Sequence, residues 1–177
     1  MKKVISIITL TLIFFVIYFL QADFFSWFNI AGVKPNLFIL LMLVVGLFVG
    51  KKIGIPLGII LGIILDLLTG KIIGISSIMF VIIVILADIY DKNFSKDNRM
   101  TIMIMVASTT IIFETGIYML NLLKLSIPLE LISFIKILII EVIYNTILTI
   151  IIYPIIQNSG TLLEESFKEQ KILTRYF

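Results

Sequence analysis

Six long apolar runs, separated by short polar segments, make up most of this 177-residue chain. An α-helix needs about 20 predominantly apolar residues to cross a bilayer, and each run reaches or approaches that length. The pattern predicts an all-α integral membrane protein with a single six-helix domain. The predicted spans are residues 4–20, 36–50, 53–68, 72–90, 100–123 and 131–157, and residues 158–177 form a polar tail.

The second and third runs are short for membrane spans. As helices, 36–50 and 53–68 would be about 22–24 Å long, so we expect them to tilt in thinned lipid or to be shielded by neighbouring helices. Lys51 and Lys52 lie between them and are too costly to place at the centre of the membrane. We therefore predict a tight turn there, with Pro56 in the first turn of the third helix, where proline is tolerated.

The first run, 4–20, resembles the hydrophobic part of a signal peptide. It is long for that role, and Leu20 is a poor match to the small residue that precedes a cleavage site after Ala22. We predict an uncleaved first helix.

Composition agrees with a membrane protein and excludes several functional classes. Hydrophobic residues make up 60% of the chain and charged residues only 14%, whereas a soluble domain carries about 25% charged residues. The chain has no cysteine and no histidine, which removes thiolate metal sites, disulfides and the commonest general base. No phosphate-binding or serine-hydrolase motif is present. We expect neither enzymatic activity nor a cofactor or bound metal.

The distribution of positive charge predicts the orientation in the membrane. Cytoplasmic loops are enriched in lysine and arginine, and the basic residues are scattered in short loops rather than clustered as in nucleic-acid-binding proteins. We therefore expect both termini in the cytoplasm and no nucleic-acid partner. That topology places these residues inside: Lys2, Lys3, Lys51, Lys52, Lys92, Lys96, Arg99, Lys168, Lys171 and Arg175. It leaves Lys34, Lys71, Lys124 and Lys136 on or near the far side.

Glycine recurs at every fourth position from residue 46 to residue 74, except at position 66, which is aspartate. Residues four apart share one face of a helix, and small faces let membrane helices pack closely. We therefore predict a groove along the third helix that packs against another helix or a partner. A glycine-lined substrate path is the alternative. The predicted packing or partner-binding residues are Gly54, Gly58, Gly62, Asp66, Gly70 and Gly74.

Asp66 continues the line of glycines and ends the groove. A carboxylate near a helix end could simply be solvated. Its position in register with the glycines instead indicates a packed, hydrogen-bonded role.

Four further polar residues lie within the predicted fifth and sixth spans: Glu114, Tyr118, Glu141 and Asn145. Tyr118 follows Glu114 by four residues and Asn145 follows Glu141 by four, so each pair shares a helix face. Both glutamates fall in the middle half of the bilayer and could face each other. One hypothesis is a cation, proton or ammonium site. The other is that each glutamate is protonated or hydrogen-bonded to a neighbouring helix or subunit, since burial raises a carboxyl pKa.

The tail, 158–177, offers two interpretations. Thr161 and Glu164 have the spacing of a capping box, and Leu162, Leu163 and Phe167 could form an apolar face. A short helix on the membrane, or against a cytoplasmic partner, would follow. We expect a solvated tail.

Three motifs together resemble the MreD family of bacterial rod-shape-determining membrane proteins. One is the triplet 35–37, Pro-Asn-Leu, and the next is G-x-x-x-G-x-x-L-D-L-x-x-G-x-x-x-G over 58–74. In the last helix, Glu141 and Asn145 precede a Tyr-Pro pair at 153–154. The size, the six spans and the predicted cytoplasmic termini are also similar to that family over essentially the whole chain. Glu114 has no counterpart in the family pattern.

The resemblance implies a non-catalytic subunit of the cell-elongation machinery in the bacterial plasma membrane. Its expected partners are an MreC-like single-span coiled-coil protein, an MreB-like actin filament, peptidoglycan synthases and membrane lipid. Asp66 would tie the third helix to its neighbour, and the lysine-bearing loops would face the filament.

The competing function is the substrate-binding subunit of an energy-coupling-factor vitamin transporter, a six-helix class that MreD proteins resemble in expected fold. Glu114, Tyr118, Glu141 and Asn145 would then contact the ligand. The first helix lacks the small-residue motif that many such subunits use for docking, and carries bulky residues such as Phe14 and Phe15 instead. A pore is poorly supported, because no helix has a continuous polar stripe.

Overall fold

The computed structural model describes residues 2–70, 72–125 and 130–167, and within them the chain forms six helices and no strand. An isolated bridge between Ile30 and Val33 closes the turn between the first two helices. The helices are α1 (Lys2–Trp27), α2 (Leu37–Val49), α3 (Lys51–Thr69), α4 (Ile75–Asn93), α5 (Arg99–Leu125) and α6 (Leu131–Phe167). α1 contains a π-helical segment at Leu20–Phe24 and α2 one at Val45–Val49.

Four of the six helices, α1, α3, α5 and α6, are long and apolar enough to cross a membrane. α2 is a shorter apolar helix. α4 has 19 residues, but Asp88, Asp91 and Lys92 occupy its last turns. The prediction of an all-α membrane protein is confirmed, and the helices follow the six predicted runs in order.

α2 is the centre of the bundle. All its residues are buried except Val44, and it packs against α1, α4, α5 and α6. A chain of aromatic rings crosses the bundle through α2: Phe14 lies 5.1 Å from Phe38, Phe38 lies 6.3 Å from Phe80, and Phe80 lies 6.1 Å from Phe113, measured between ring centroids. Of the two explanations for this short helix, shielding by its neighbours is the one the structure supports.

α3 begins earlier than the predicted residue 53. Gly50 adopts a positive φ of 85° and reverses the chain, so Lys51 and Lys52 lie in the first turn of α3. Pro56 consequently lies inside the helix, and its predicted place in the first turn is wrong. The proline removes one backbone hydrogen bond, but Pro56 is exposed and lies near the lysine-bearing end of the helix.

α6 continues ten residues beyond its predicted end at 157. Pro154 lies within it and does not end it, because the following turns pack on the core. Leu163 and Phe167 are buried, and a Cβ on Gly160 would lie 2.5 Å from the ring of Phe48. The expectation of a solvated tail is therefore wrong for residues 158–167. Residues 168–177 lie outside the described part of the chain.

The loop-bearing ends of the helices separate into two groups. Lys2, Lys51, Lys96 and Glu164 mark one end of the bundle, hereafter the basic end: Lys51 pairs with Asp88 at the end of α4, and Lys96 pairs with Glu164. The predicted cytoplasmic segments that the structure describes meet at this end. The opposite end contains the first residues of α2 and α4 and the last residues of α3.

Candidate functional site

The face of α3 that carries three of the predicted glycines is covered by α4 of the same chain. A Cβ on Gly54 would lie 2.8 Å from Cγ1 of Val84, and one on Gly62 would lie 2.5 Å from the backbone nitrogen of Ser77. At Gly58 the nearest atom, Cβ of Phe80, is at an ordinary 3.4 Å. The two helices therefore approach most closely at Gly62, where backbone meets backbone.

The last two glycines of the series belong to a turn rather than to a helix face. Gly70 ends α3 with a φ of 64°, and Gly74 precedes α4 with a φ of 102°. Residues other than glycine rarely adopt these angles. No atom lies within 4 Å of a Cβ built on either residue. The regular spacing thus combines two requirements, close packing up to Gly62 and chain reversal after Asp66.

Asp66 joins these two regions. Its side chain is fully buried, and its carboxylate accepts hydrogen bonds from the backbone N–H groups of Gly74 at 2.8 Å and Ser76 at 3.2 Å. These groups belong to the first turn of α4, which has no internal acceptors for them and which favours negative charge. Nearby, the Ser77 hydroxyl donates to the Ile59 carbonyl at 3.0 Å. Asp66 therefore caps the helix that packs on the glycine face.

Asn145 accepts a backbone hydrogen bond at the start of α2, as Asp66 does at the start of α4. It is fully buried in α6, and its Oδ1 accepts a hydrogen bond from the backbone N–H of Asn36 at 2.7 Å, where α2 begins. Its Nδ2 donates to Oγ1 of Thr110 in α5 at 3.1 Å. One side chain therefore fixes the start of the central helix between α5 and α6.

The two glutamates of the predicted fifth and sixth spans lie at one level of the neighbouring helices α5 and α6. These helices are antiparallel neighbours. Asn145 of α6 is hydrogen-bonded to Thr110 of α5 at one level, and the rings of Tyr118 and Phe134 stack at another, with their centroids 4.2 Å apart. Glu114 lies four residues beyond Thr110, and Glu141 four residues before Asn145, so the register places them opposite each other. Glu141 is buried and Glu114 is partly exposed. The Tyr118 hydroxyl is buried and has no hydrogen-bond partner among the described residues.

Glu114 also lines a polar cavity of about 310 Å³ at the end opposite the basic end. Gln21, Asn36, Thr69 and Ser76 line the same cavity. Gln21 donates to the carbonyl of Pro35 at 2.9 Å. Within the described residues, Oε1 of Gln21 and Oδ1 of Asn36 are buried and have no donor. The cavity thus combines a carboxyl group with two amide oxygens that could each accept a hydrogen bond.

The predicted site residues are therefore distributed over two adjoining regions. Asp66 supports the cavity through Ser76, and Asn145 supports it through Asn36, while Glu114 lines it directly. Gly54 and Gly58 lie further along α3, and Tyr118 and Glu141 lie on the α5–α6 face. Gln21 and Ser76 were missed, and only the polarity of Gln21 at the end of the first apolar run could have indicated it.

Ion pairs connect the helices at the basic end. Asp88 pairs with Lys51 at 3.3 Å and with Lys92 at 2.7 Å. Lys96 pairs with Asp91 at 3.0 Å and with Glu164 at 2.8 Å.

Lys96 is the centre of this cluster. Its Nζ lies 4.8 Å from the ring centroid of Phe48, and its carbonyl accepts a hydrogen bond from Gln157. Burial on its own would lower the pKa of Lys96, but hydrogen bonds from its ammonium group to Glu164 and Asp91 outweigh that effect and hold the pKa above its ordinary value. The loop after α4 is thereby fixed to the end of α6.

The described residues include no group of three or more acidic side chains placed to bind a metal ion. The fold and these polar contacts define a class: a multi-pass helical membrane protein in which buried carboxyl and amide groups hold helices together. Comparison with protein families matches residues 1–158 to the family described as rod shape-determining protein MreD. The chain belongs to the MreD family, and it is a multi-pass protein of the bacterial plasma membrane.

No curated protein and no solved structure matches the chain. The family match confirms the resemblance found in the sequence and supports a role in determining rod shape. Nothing found supports the alternative of a vitamin-transporter subunit, and the fold likeness to such subunits stays a prediction.

Proposed function

We propose that this chain is a non-catalytic scaffold of the rod-shape machinery, which binds an MreC-like single-span partner and helps to organise lateral-wall peptidoglycan synthesis. Membership of the MreD family supports the shape-determining role. The observation that carries the partner-binding proposal is the polar cavity, in which Glu114 lies beside two buried acceptors without donors, on Gln21 and Asn36.

The glycine face leaves little room for a partner. α4 covers it, and a Cβ at Gly62 would already meet the Ser77 backbone. A partner helix would have to displace α4 and break the hydrogen bonds of Asp66, each of which costs about 1–3 kcal/mol when a buried group loses its partner. A partner is therefore better accommodated elsewhere.

The polar cavity provides a suitable surface. With both termini cytoplasmic, it opens toward the outer side of the membrane, where a single-span partner continues into its extracytoplasmic segment. The amide oxygens of Gln21 and Asn36 lack donors among the described residues, and the backbone N–H groups or a lysine or arginine of such a segment would supply them. Asp66 and Asn145 fix the starts of α4 and α2, so the cavity is preorganised and little ordering accompanies binding.

The basic end would face the filament. Lys51 and Lys92 are exposed there, and ion pairs hold the surrounding loops in place. We propose this end as the side that an MreB-like filament approaches. Peptidoglycan synthases would associate on the outer side, directly or through the MreC-like partner.

Charge reversal in the cavity tests the proposal. Glu114→Lys places a cation beside the donors of the partner, so we expect at least a tenfold loss of the co-purified MreC-like protein from bacterial membranes, together with loss of rod shape. Gln21→Leu removes one acceptor and should weaken recovery less. Glu130→Lys is the matched control, because Glu130 is exposed at the start of α6 and lines no part of the cavity.

The bound proteins are identified by mass spectrometry, and folding of each variant is checked by its thermal unfolding in detergent. Equal recovery of the partner with Glu114→Lys and Glu130→Lys would refute the cavity as its site. Recovery of two ATPases and a transmembrane coupling subunit instead would establish the transporter alternative.

A further inference from the structure

An apolar groove runs between α1 and α6, with residues of α2 at its base. Its cavity volume is about 360 Å³. One wall is formed by residues of α1, including Ile13 and Ile17, and the other by residues of α6, including Ile152 and Ile155. The groove extends from Phe25, near the end of the bundle opposite the basic end, to Leu163, near the basic end.

The groove continues into a second cavity, of about 360 Å³, at the basic end. The two cavities share Leu10, Ile13, Ser159 and Leu163. Polar groups contribute to the lining of the second cavity: a cation, Lys2, an anion, Glu165, and the side chains of Ser6, Thr9, Ser159 and Ser166. An apolar groove thus continues into a cavity that carries one cation and one anion.

The division between apolar and charged lining favours a lipid. From Leu10 to Phe25 the wall of α1 is about 22 Å long at 1.5 Å per residue, which is enough for an acyl chain, since one leaflet contributes about 15 Å of the hydrocarbon core. Apart from Ser159 the groove is lined by apolar side chains, whereas the cavity at its basic end adds Lys2 and Glu165. A phospholipid has the same division between an apolar chain and a charged headgroup.

We propose that this groove is a binding site for one phospholipid with a zwitterionic headgroup. One of its acyl chains lies along the groove, its phosphate lies beside Lys2, and its ammonium group lies beside Glu165. The lipid fills the space between α1 and α6, which the side chains leave open. This site is independent of the proposed function, because it is on the other side of α1 from the polar cavity and requires no protein partner.

The test uses pairs of variants that differ only in whether the side chain enters the groove. Ile155 and Ile151 are both 66% exposed on α6, but only Ile155 lines the groove. On α1, Ile13 lines the groove and the exposed Ile8 does not. Each of these four isoleucines is replaced by tryptophan in the full-length protein. Each variant is reconstituted in nanodiscs containing phosphatidylethanolamine and phosphatidylglycerol and is then released from them. Native mass spectrometry then counts the lipids retained per chain.

We expect one phosphatidylethanolamine to remain on the wild-type protein, on Ile151→Trp and on Ile8→Trp, and at least a fivefold loss with Ile155→Trp and Ile13→Trp. Lys2→Glu should weaken retention, whereas Lys3→Glu, with the same charge change at a residue that does not line the second cavity, should not. No retained lipid, or equal retention within both tryptophan pairs, would refute the proposal. A photocrosslinker at Ile155 that captures another protein's helix in native membranes, rather than lipid, would also refute it.

Discussion

The α3–α4 pair and α1 hold their places in the bundle by different means. Of the 18 most apolar consecutive residues in each helix, 39% are buried in α3 and only 11% in α1. α3 and α4 meet backbone to backbone at Gly62, and Asp66 joins them. α1 relies on a few buried side chains, chiefly Leu10 and Phe14, and leaves a groove beside α6. The comparison shows that glycines and one carboxylate can fix a helix pair in lipid, where apolar surface alone gives little reason to associate.

Removal of the Asp66 carboxylate should have the largest effect on stability. Asp66→Ala leaves the buried N–H group of Ser76 and the partly buried one of Gly74 without their acceptor, at about 1–3 kcal/mol each, so we expect a loss of about 4 kcal/mol. Asp66→Asn keeps one acceptor oxygen and should lose about half as much. Unfolding in detergent micelles measures both. Thr69→Ala is the control, since that exposed hydroxyl bonds only within its own helix. If all three variants unfold alike, Asp66 does not join α3 to α4.

A pair of glycine substitutions separates close packing from glycine content. Gly62→Ala places a methyl group against the Ser77 backbone, and overpacking of this kind costs about 1–3 kcal/mol. Gly58→Ala meets Phe80 at an ordinary distance and replaces glycine with a better helix former, which is worth up to about 1 kcal/mol. We expect opposite changes in thermal stability. The same loss at both positions would show that the whole α3 face, rather than its point of closest approach, requires glycine.

Substitutions in α1 should cost less. Leu10→Ala removes a buried side chain, but lipid chains solvate α1 as well as a protein core does, so only packing is lost, at about 1 kcal/mol. The matched change Leu12→Ala, on an exposed side chain, should leave the unfolding temperature unchanged. A loss for Leu10→Ala as large as that for Asp66→Ala would remove the contrast between the two regions.

The smallest effect concerns Lys96 and is seen only in alkaline solution. Because its pKa is raised in the folded protein, its ion pairs stabilise the fold fully below the ordinary lysine pKa of about 10.4 and are lost as the pH rises through the raised value. The stability difference between wild type and Lys96→Gln should stay constant from pH 6 to about 10 and shrink above that. Lys52→Gln serves as the control. A difference that changes near neutral pH would contradict this assignment.

The sequence predicted the six helices well because each apolar run is bounded by charged or turn-forming residues. It also placed Asp66 in a packed, hydrogen-bonded role through its register with the glycines. It did not reveal that α4 supplies the hydrogen bonds, since those donors are backbone groups of Gly74 and Ser76, which leave no side-chain pattern. The continuation of α6 past Pro154 was missed for a similar reason: packing of Gly160 on Phe48 overrides the local signal to stop.

The polar cavity was beyond prediction, because its wall comes from five helices that are far apart in sequence. Glu114 was identified from its own chemistry. Gln21 and Asn36 became candidates only when the structure placed their unpartnered oxygens beside it. Local patterns report helices, whereas a cavity depends on how the helices are arranged.

The hydrogen bonds of Asp66 also constrain how the chain enters the membrane during synthesis. An aspartate at the centre of an inserting helix costs about 2.5–3.5 kcal/mol on translocon-based scales. Asp66 lies in the last turn of α3, and the N–H groups that donate to its carboxylate lie only eight and ten residues further along the chain. The first turn of α4 leaves the ribosome almost immediately after Asp66. We expect α3 and α4 to insert together as a hairpin, so that the carboxylate never has to cross the lipid without its donors.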